Sequence, residues 1–412
     1  MQGFTVANAR ILTLAPAGAA AGPRRGRWLS ELGVIGRGWV TVEGERIARI
    51  GVGDAPPHLG NMIDARGRAL LPGFVDCHTH ACWAGDRFDE ADLRRAGIPY
   101  LEILKRGGGI MSTVRATRAA TREILAAATL ARFRAAARLG TTCIEAKSGY
   151  GLSTDAELRL LDAIADAARG TRQTVVSTFL GAHAKDPDNP KFVEETINVT
   201  LPNAARVRPG ITCDAYCEEG AWSLDECRRY FVAAVALGCP IRVHADQFHS
   251  LGMVGLAIEL GTRSVDHLEA TTEGDVQRLA ASRAIGVALP GCGFHLDGRY
   301  APLRKLIDLG GAAAIATNLN PGSSPTPSMP FIIALAARHL GLSPAEAIAC
   351  ATVNAAHVLA LEDELGTIEV GKRADFQLLA SGDERTLAYE YAGPEPDEVW
   401  IGGQPLNELR RV

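Results

Sequence analysis

Two histidines stand one residue apart in His78-Thr79-His80, just after a short apolar run, Gly73–Asp76. On an extended segment, residues two apart face the same side, so both imidazoles would meet one site. Neutral imidazole is the commonest nitrogen ligand for zinc, iron or nickel, and His244 could supply a third from elsewhere in the chain. Three protein ligands with one open position make a catalytic metal site, whereas a structural zinc closes with four and usually takes cysteine. Alone, such a pair is a weak signal. It gains weight because His183, His244 and His267 also follow apolar runs, as do Lys147 with Tyr150, Glu218, and Asn318 with Asn320. Cys77 and Cys82 flank the pair, but Cys77 faces away from the imidazoles and reads as core, as do Cys143, Cys213 and Cys217. Among the other histidines, His339 and His357 lie in helical stretches and read as packing or surface residues. His58, in a Pro-rich turn, and His295, beside a Gly-rich loop, take no role; His249 could cap a helix start.

These side chains need a scaffold that brings distant segments together. From residue 71 onward, short apolar runs alternate with helical patterns. The runs are Gly73–Asp76, Thr141–Ala146, Thr174–Leu180, Cys213–Cys217, Ile241–Ala245, Arg263–Asp266, Ile285–Leu289 and Ala313–Thr317. Ser223 with Glu226 forms a capping box ahead of a helix that Gly238 closes, and Ser343-Pro344 with Glu346 opens another. Arg115–Leu139, with no Gly or Pro inside and Gly140 after it, predicts one continuous helix. The alternation predicts an α/β fold, a (β/α)8 TIM-like barrel over residues 71–362, with a doubly wound open sheet as the competitor. Barrel enzymes build their sites at the C-terminal ends of different strands, where the polar residues above collect. Residues 1–70 and 363–412 read as strands and turns instead. They include a first strand through Phe4, Val6, Ala7 and Ile11, and a hairpin over Trp39–Ile50 turning at Glu43-Gly44-Glu45. Ile368–Lys372, Asp375–Leu379 and Val399–Ile401 are the matching strands at the other end, so both termini are expected to form one small β-sandwich domain.

The 412 residues are 47% hydrophobic and 22% charged, with a net charge of −4, which implies a sizeable core and excludes a disordered chain. No basic excess is present to hold a phosphate backbone, so nucleic acid is not an expected partner. The nine cysteines form no CxxC pair and fit a reducing cytosol better than a disulfide framework. No uncharged stretch approaches the roughly 20 residues of a membrane helix. A soluble cytoplasmic enzyme acting on a small molecule is the expectation.

Leu71-Pro72-Gly73-Phe74-Val75-Asp76-Cys77-His78-Thr79-His80 resembles the first-strand signature of the amidohydrolase superfamily. The remaining motifs resemble the imidazolonepropionase family. They are Ala84-Gly85-Asp86-Arg87; Gly107-Gly108-Gly109-Ile110 with Ser112-Thr113-Val114 and Arg115-Ala116-Thr117-Arg118; Lys147-Ser148-Gly149-Tyr150-Gly151-Leu152; and Gly181-Ala182-His183. His244-Ala245-Asp246-Gln247, Asp266-His267-Leu268-Glu269 and Asn320-Pro321-Gly322-Ser323-Ser324-Pro325 complete the set. The resemblance implies a barrel with a terminal β-sandwich, a homodimer, one zinc or iron ion per chain, and hydrolysis of 4-imidazolone-5-propanoate to N-formimidoyl-L-glutamate in histidine degradation. It puts the metal on His78, His80, His244 and position 318, and lines the substrate pocket with Arg87, Tyr150, His183, Gln247, Asn320, Gly322 and Ser323. A guanidinium matches a propanoate carboxylate, as Arg87 would. His267 could hydrogen-bond the developing oxyanion or shuttle a proton, and Gln247 and Asn318 stand beside the chemistry. Lys147 reads as a structural charge rather than a carbamylated metal bridge, and Asp246 as a partner of neighbouring backbone. Arg87 could instead pair with Asp89 or Glu90.

One position departs from the family pattern. Asn318 stands where the family carries aspartate, two residues before Asn320-Pro321-Gly322. An aspartate there both ligates the metal and accepts the proton of the attacking water; asparagine offers only a neutral carbonyl oxygen. Losing a general base typically costs 10²–10⁴ in rate, about 3–5 kcal/mol of barrier. The change could be an introduced substrate trap, a natural slower enzyme in which His267 serves as base, or a lost activity. Two alternatives to the leading reading stay open: a sister amidohydrolase on another small cyclic amide, and a catalytically impaired binding homologue.

Overall fold

All eight apolar runs form parallel strands in the computed structural model, which describes residues 3–16, 22–56, 61–98, 102, 108–391 and 394–406. The strands of this sheet are β6 (Phe74–Asp76), β7 (Thr141–Lys147), β8 (Thr174–Ala182), β9 (Thr212–Cys217), β10 (Ile241–Ala245), β11 (Ser264–His267), β12 (Ile285–Ala288) and β13 (Ala312–Ile315), hydrogen-bonded in sequence order. Every residue of β7 and of β10 is buried, as expected for parallel strands with side chains inside the barrel and helices outside. The ring closes past the strand ends rather than along them. Thr79 pairs with Leu319, the Asn318 N–H donates to the His78 carbonyl at 3.0 Å, and the His80 N–H donates to the Leu319 carbonyl at 2.9 Å. Below this seam the Asp76 carboxylate accepts the Thr317 N–H at 3.0 Å and its hydroxyl at 2.5 Å. Closure therefore fixes the backbone that carries His78, His80 and Asn318.

The helices obey their local signals with one exception. Both capping boxes form, at Ser223 with Glu226 and at Ser343 with Glu346. The continuous helix expected over Arg115–Leu139 is instead two. After α1 (Phe88–Arg95), α2 (Ile110–Ala119) ends at Ala120, and α3 (Arg122–Arg138) starts anew, the Thr121 hydroxyl accepting the Ile124 N–H at 3.3 Å. A threonine can cap a helix as readily as continue one, and here capping wins. The next helix is α4 (Thr154–Arg169).

The chain ends share the second sheet. It runs β16 (Gln404–Pro405), β15 (Glu398–Ile401), β14 (Phe376–Leu378), β5 (Ala69–Pro72), β1 (Phe4–Leu12), β2 (Val34–Glu43) and β3 (Arg46–Val52), with β4 (Asn61–Asp64) paired to β1. The hairpin turns at Gly44-Glu45 as the sequence indicates. Ile368–Lys372 is not a strand: Gly366 and Gly371 both take positive φ, 90° and 93°, and the segment turns there. Trp400 is 1% exposed, and its ring stacks on that of Phe4 at 6.0 Å, closing the core of this sheet. Asn354 ties the N-terminal segment to the barrel, accepting the Arg24 N–H at 2.8 Å and donating to the carbonyls of Arg24 at 2.9 Å and of Ala313, in β13, at 2.8 Å. His58 and Gly107 lie outside the described residues. Among the described residues, no helix is long and apolar enough to cross a membrane.

Candidate active site

His78, His80 and His244 converge at the C-terminal mouth of the barrel, their ligand nitrogens all within 4.8 Å of one another. The Nε2 atoms of His80 and His244 lie 3.2 Å apart, near the roughly 3.3 Å separation of two nitrogens on one tetrahedral zinc. The opposite ring atoms of two of them are held by carboxylates. His78 Nδ1 donates to Asp266 at 2.6 Å, and His244 Nδ1 donates to Asp214 at 3.0 Å. A proton fixed on Nδ1 leaves Nε2 as a lone-pair donor, the usual way a metal-binding imidazole is oriented. His78 Nε2 is buried and has no hydrogen-bond partner in the protein. Asn318, 1% exposed, likewise carries an unpartnered Oδ1. Its φ of +54° is left-handed backbone, which asparagine tolerates better than most residues. Orphaned lone pairs beside three converging imidazoles fit a divalent cation.

Electrostatics keep these rings neutral. Burial, before any other cause, pushes His78 and His80 well below the usual imidazole range. It also takes His244 down to about 4, outweighing Asp214. Asp214 remains ionised: burial opposes its charge, but His244 and Lys147 beside it hold it well below its ordinary value. Lys147 Nζ lies 2.8 Å from Asp214 and 2.7 Å from Glu145, with no exposure to solvent. Arg242 donates to Asp266 at 2.5 Å and to the Cys77 carbonyl at 2.7 Å, while Glu145 accepts the Thr79 N–H at 2.9 Å. Lys147 is thus the structural charge the sequence suggested. Asp214, Asp266, Arg242 and Glu145 were not singled out there. Their signal was charge inside otherwise apolar strands, two residues from Tyr216, His244 and Lys147 or next to His267, on the inward parity.

A cavity of about 290 Å³ opens above the imidazoles. His80, His244 and Asn318 form part of its lining with His267, and Arg87, Tyr150, His183, Gln247, Asn320, Gly322 and Ser323 surround them. The structure therefore gathers the whole expected set, with His78 just beneath the lining. Arg87 sits at the first turn of α1, between two partners. Its Nε donates to Thr113 of α2 at 2.9 Å and its Nη1 to Glu90 at 2.7 Å, while Glu90 also accepts the Gly109 N–H at 2.9 Å. The alternative pairing with Glu90 and a pocket position are both realised, and Gly109-Ile110 with Thr113 is the brace for this arginine. His183 donates Nδ1 to the Gly149 carbonyl at 3.0 Å, so its Nε2 is an acceptor, and burial lowers its pKa to about 4. Asn320 is occupied by its own loop: Oδ1 accepts the N–H groups of Gly322 and Ser323, both at 2.8 Å, and Nδ2 donates to the Asn318 carbonyl at 2.6 Å. Gln247 donates to Cys292 Sγ at 3.3 Å.

His267 is 3% exposed and 3.2 Å from Glu269. Burial works against its charge, but Glu269 and Cys292 together outweigh it and raise the imidazole to about 10. Other candidates lie aside. His249 caps no helix; its Nδ1 meets Glu218 at 2.7 Å, and Glu218 also accepts the Phe248 N–H at 2.8 Å, pinning the loop after β10. Asp246 accepts the Ser250 hydroxyl at 3.2 Å. His339 stacks on Tyr300 at 4.5 Å and His357 pairs with Glu362 at 3.3 Å, both away from the cavity. All nine cysteines are buried and free. Tyr216, Phe248 and Arg94 line the cavity without having been expected to.

The amidohydrolase family model matches residues 97–406. The imidazolonepropionase of Rubrobacter xylanophilus is 47% identical over 382 residues, covering 90% of this chain and 92% of its own. That of Syntrophobacter fumaroxidans is 40% identical over 417 residues, covering 98% and 97%. Among solved structures, 5-methylcytosine deaminase from Klebsiella pneumoniae liganded with 5-fluorocytosine superposes with a TM-score of 0.74 at 17% identity, covering 97% of this chain and 96% of its own. A zinc-bound adenosine deaminase from Xanthomonas campestris gives 0.70 at 18% identity, covering 98% and 92%. These distant structures share the fold; the curated relatives share sequence throughout. The chain belongs to the amidohydrolase family and, within it, to the imidazolonepropionases.

Proposed function

We propose that this chain opens the ring of 4-imidazolone-5-propanoate with water to give N-formimidoyl-L-glutamate, a step of histidine degradation, and that Asn318 slows it. The observation that carries this reading is one cavity that joins the unpartnered Asn318 Oδ1 to a braced guanidinium, Arg87, directly above the unpartnered His78 Nε2. One zinc or iron ion on His78, His80, His244 and Asn318 would supply Lewis acidity and hydroxide at neutral pH. Arg87, with Nε and Nη1 committed to Thr113 and Glu90, offers its Nη2 edge to the propanoate carboxylate. Gly322 leaves room there, since a side chain on it would project toward Arg87 Nη2, 3.8 Å away. His183 accepts a ring N–H through Nε2, and Tyr150 and Gln247 donate to the ring's acceptors. Asn320 and Ser323 hold the loop that forms the far wall. His267, favoured as imidazolium, donates to the oxygen that gains charge as water adds to the ring carbonyl. Asn318 cannot take the proton that an aspartate would accept. We place the domain boundaries just past β5, between Pro72 and Gly73, rather than at 70/71, and at 362/363, with the protein acting as a cytoplasmic homodimer.

Calorimetric titration of the metal-loaded protein with the substrate and with N-formimidoyl-L-glutamate tests the reading. Saturable heat with at least one is expected, lost in Arg87→Met; silence with both would overturn it.

A further inference from the structure

Beside the imidazole triad lies a second cluster with metal-ligand chemistry: His267, Glu269 and Cys292, each offering an atom within 4.8 Å of the others. We propose that these three side chains form a second divalent-cation site, selective for thiophilic ions of the zinc class, and that its occupancy inhibits the hydrolase. The inhibition rests on the function proposed above; the binding does not.

The donor set is what such an ion takes: one imidazole nitrogen, one carboxylate oxygen, one thiolate. Donors on a tetrahedral zinc stand roughly 3.3–3.8 Å apart, so the observed spacing closes with small side-chain rotations. His267 Nδ1 and Glu269 Oε1 are already 3.2 Å apart. Independently of that spacing, Glu269, whose side chain is only 4% exposed, carries a buried Oε2 with no hydrogen-bond partner. The backbone holds the arrangement, because His267 and Leu268 both take positive φ, 83° and 76°. The nearby cation, Arg299, is spent on Asp297 at 2.6 Å and on the Gln247 carbonyl at 3.0 Å. Cys292 is 2% exposed and packs against Gln247, whose side chain also lines the substrate cavity.

Binding places a dication against two anionic ligands, carboxylate and thiolate; the protons displaced from the thiol and from the imidazole pass to solvent. With its Nδ1 on the ion, His267 can no longer exchange a proton there or keep its pairing with Glu269. Inhibition follows because the ion holds His267, a wall of the substrate cavity, away from the reacting group.

Cobalt(II) is the probe, because the triad contains no sulfur. Apoprotein titrated with cobalt should bind two equivalents per chain. The second should bring a near-ultraviolet sulfur-to-cobalt charge-transfer band that vanishes in Cys292→Ser. Zinc beyond one equivalent should inhibit ring opening, with tenfold more needed in Cys292→Ser. Glu269→Gln, assayed for binding alone, should weaken the second equivalent at least tenfold, which covers the case of a misfolded serine variant. A wild-type chain that stops at one equivalent without the band overturns the site. Two equivalents and the band, with no zinc inhibition, overturn the inhibitory role. The band in a protein that opens no imidazolone ring would sink the proposed function and leave the site standing.

Discussion

At the residue scale the proposed function turns on the proton acceptor that Asn318 lacks. A carboxylate there would accept a proton that the amide cannot. Asn318→Asp is therefore expected to raise kcat by 10²-fold or more in a ring-opening assay, since losing a general base costs about that much. A gain below threefold would show that proton transfer at this position does not limit the rate. The carboxylates behind the histidines carry a second prediction. Asp214→Asn removes the acceptor that fixes the His244 tautomer, and partners of this kind are typically worth 10–100-fold in metal affinity. Competition with a chelator measures it; unchanged affinity would mean that His244 is oriented by its packing alone. The three imidazoles of the triad were legible in the sequence, because histidines after successive apolar runs are conspicuous. Asp214 and Arg242 were not, because within a strand their charge competes with the reading of a simple buried run, and only the inward parity betrays them.

The elements show where sequence patterns stop short. Eight strands and both capping boxes follow from periodicity and cap chemistry. The break at Thr121 and the turn at Gly371 do not, because each depends on a choice between two locally permitted conformations that tertiary contacts decide. The Gly109–Thr113 segment was visible only as a motif; in the fold it braces Arg87. Thr113→Val removes one hydrogen bond to a charged group, worth about 1.5–3 kcal/mol. A KM increase of roughly 10-fold or more with kcat little changed is expected in steady-state kinetics, the pattern of lost uniform binding. An equal fall in kcat and kcat/KM with unaltered KM would instead assign Arg87 to the transition state. Asn354→Leu strands the buried polar backbone of Arg24 and Ala313, and should lower unfolding free energy by about 2–4 kcal/mol in denaturant melts.

Across the whole molecule, the barrel seam carries three of the four metal-type donors, His78, His80 and Asn318, while His244 faces them from β10. Thr79 bridges Leu319, and the His78 carbonyl holds the Asn318 N–H, so an ion on these side chains would also clamp the ring shut. A ligand that binds only the folded state at a thousandfold its Kd adds about 4 kcal/mol. Chelation should accordingly lower the thermal midpoint, with recovery on adding zinc or iron. An unchanged midpoint would separate closure from metal binding. The terminal sheet was foreseeable from matching strand and turn patterns at both ends. Its registry with the barrel was not, since the Asn354 bonds join residues 330 apart in sequence.

The most direct measurement is ring opening of 4-imidazolone-5-propanoate by the metal-loaded chain and by Asn318→Asp, with metal content determined on the same samples. N-formimidoyl-L-glutamate should accumulate with about one ion at the triad, faster in the aspartate variant, and should vanish when His244→Asn empties that site. Full metal occupancy in both proteins with no product from either would contradict it.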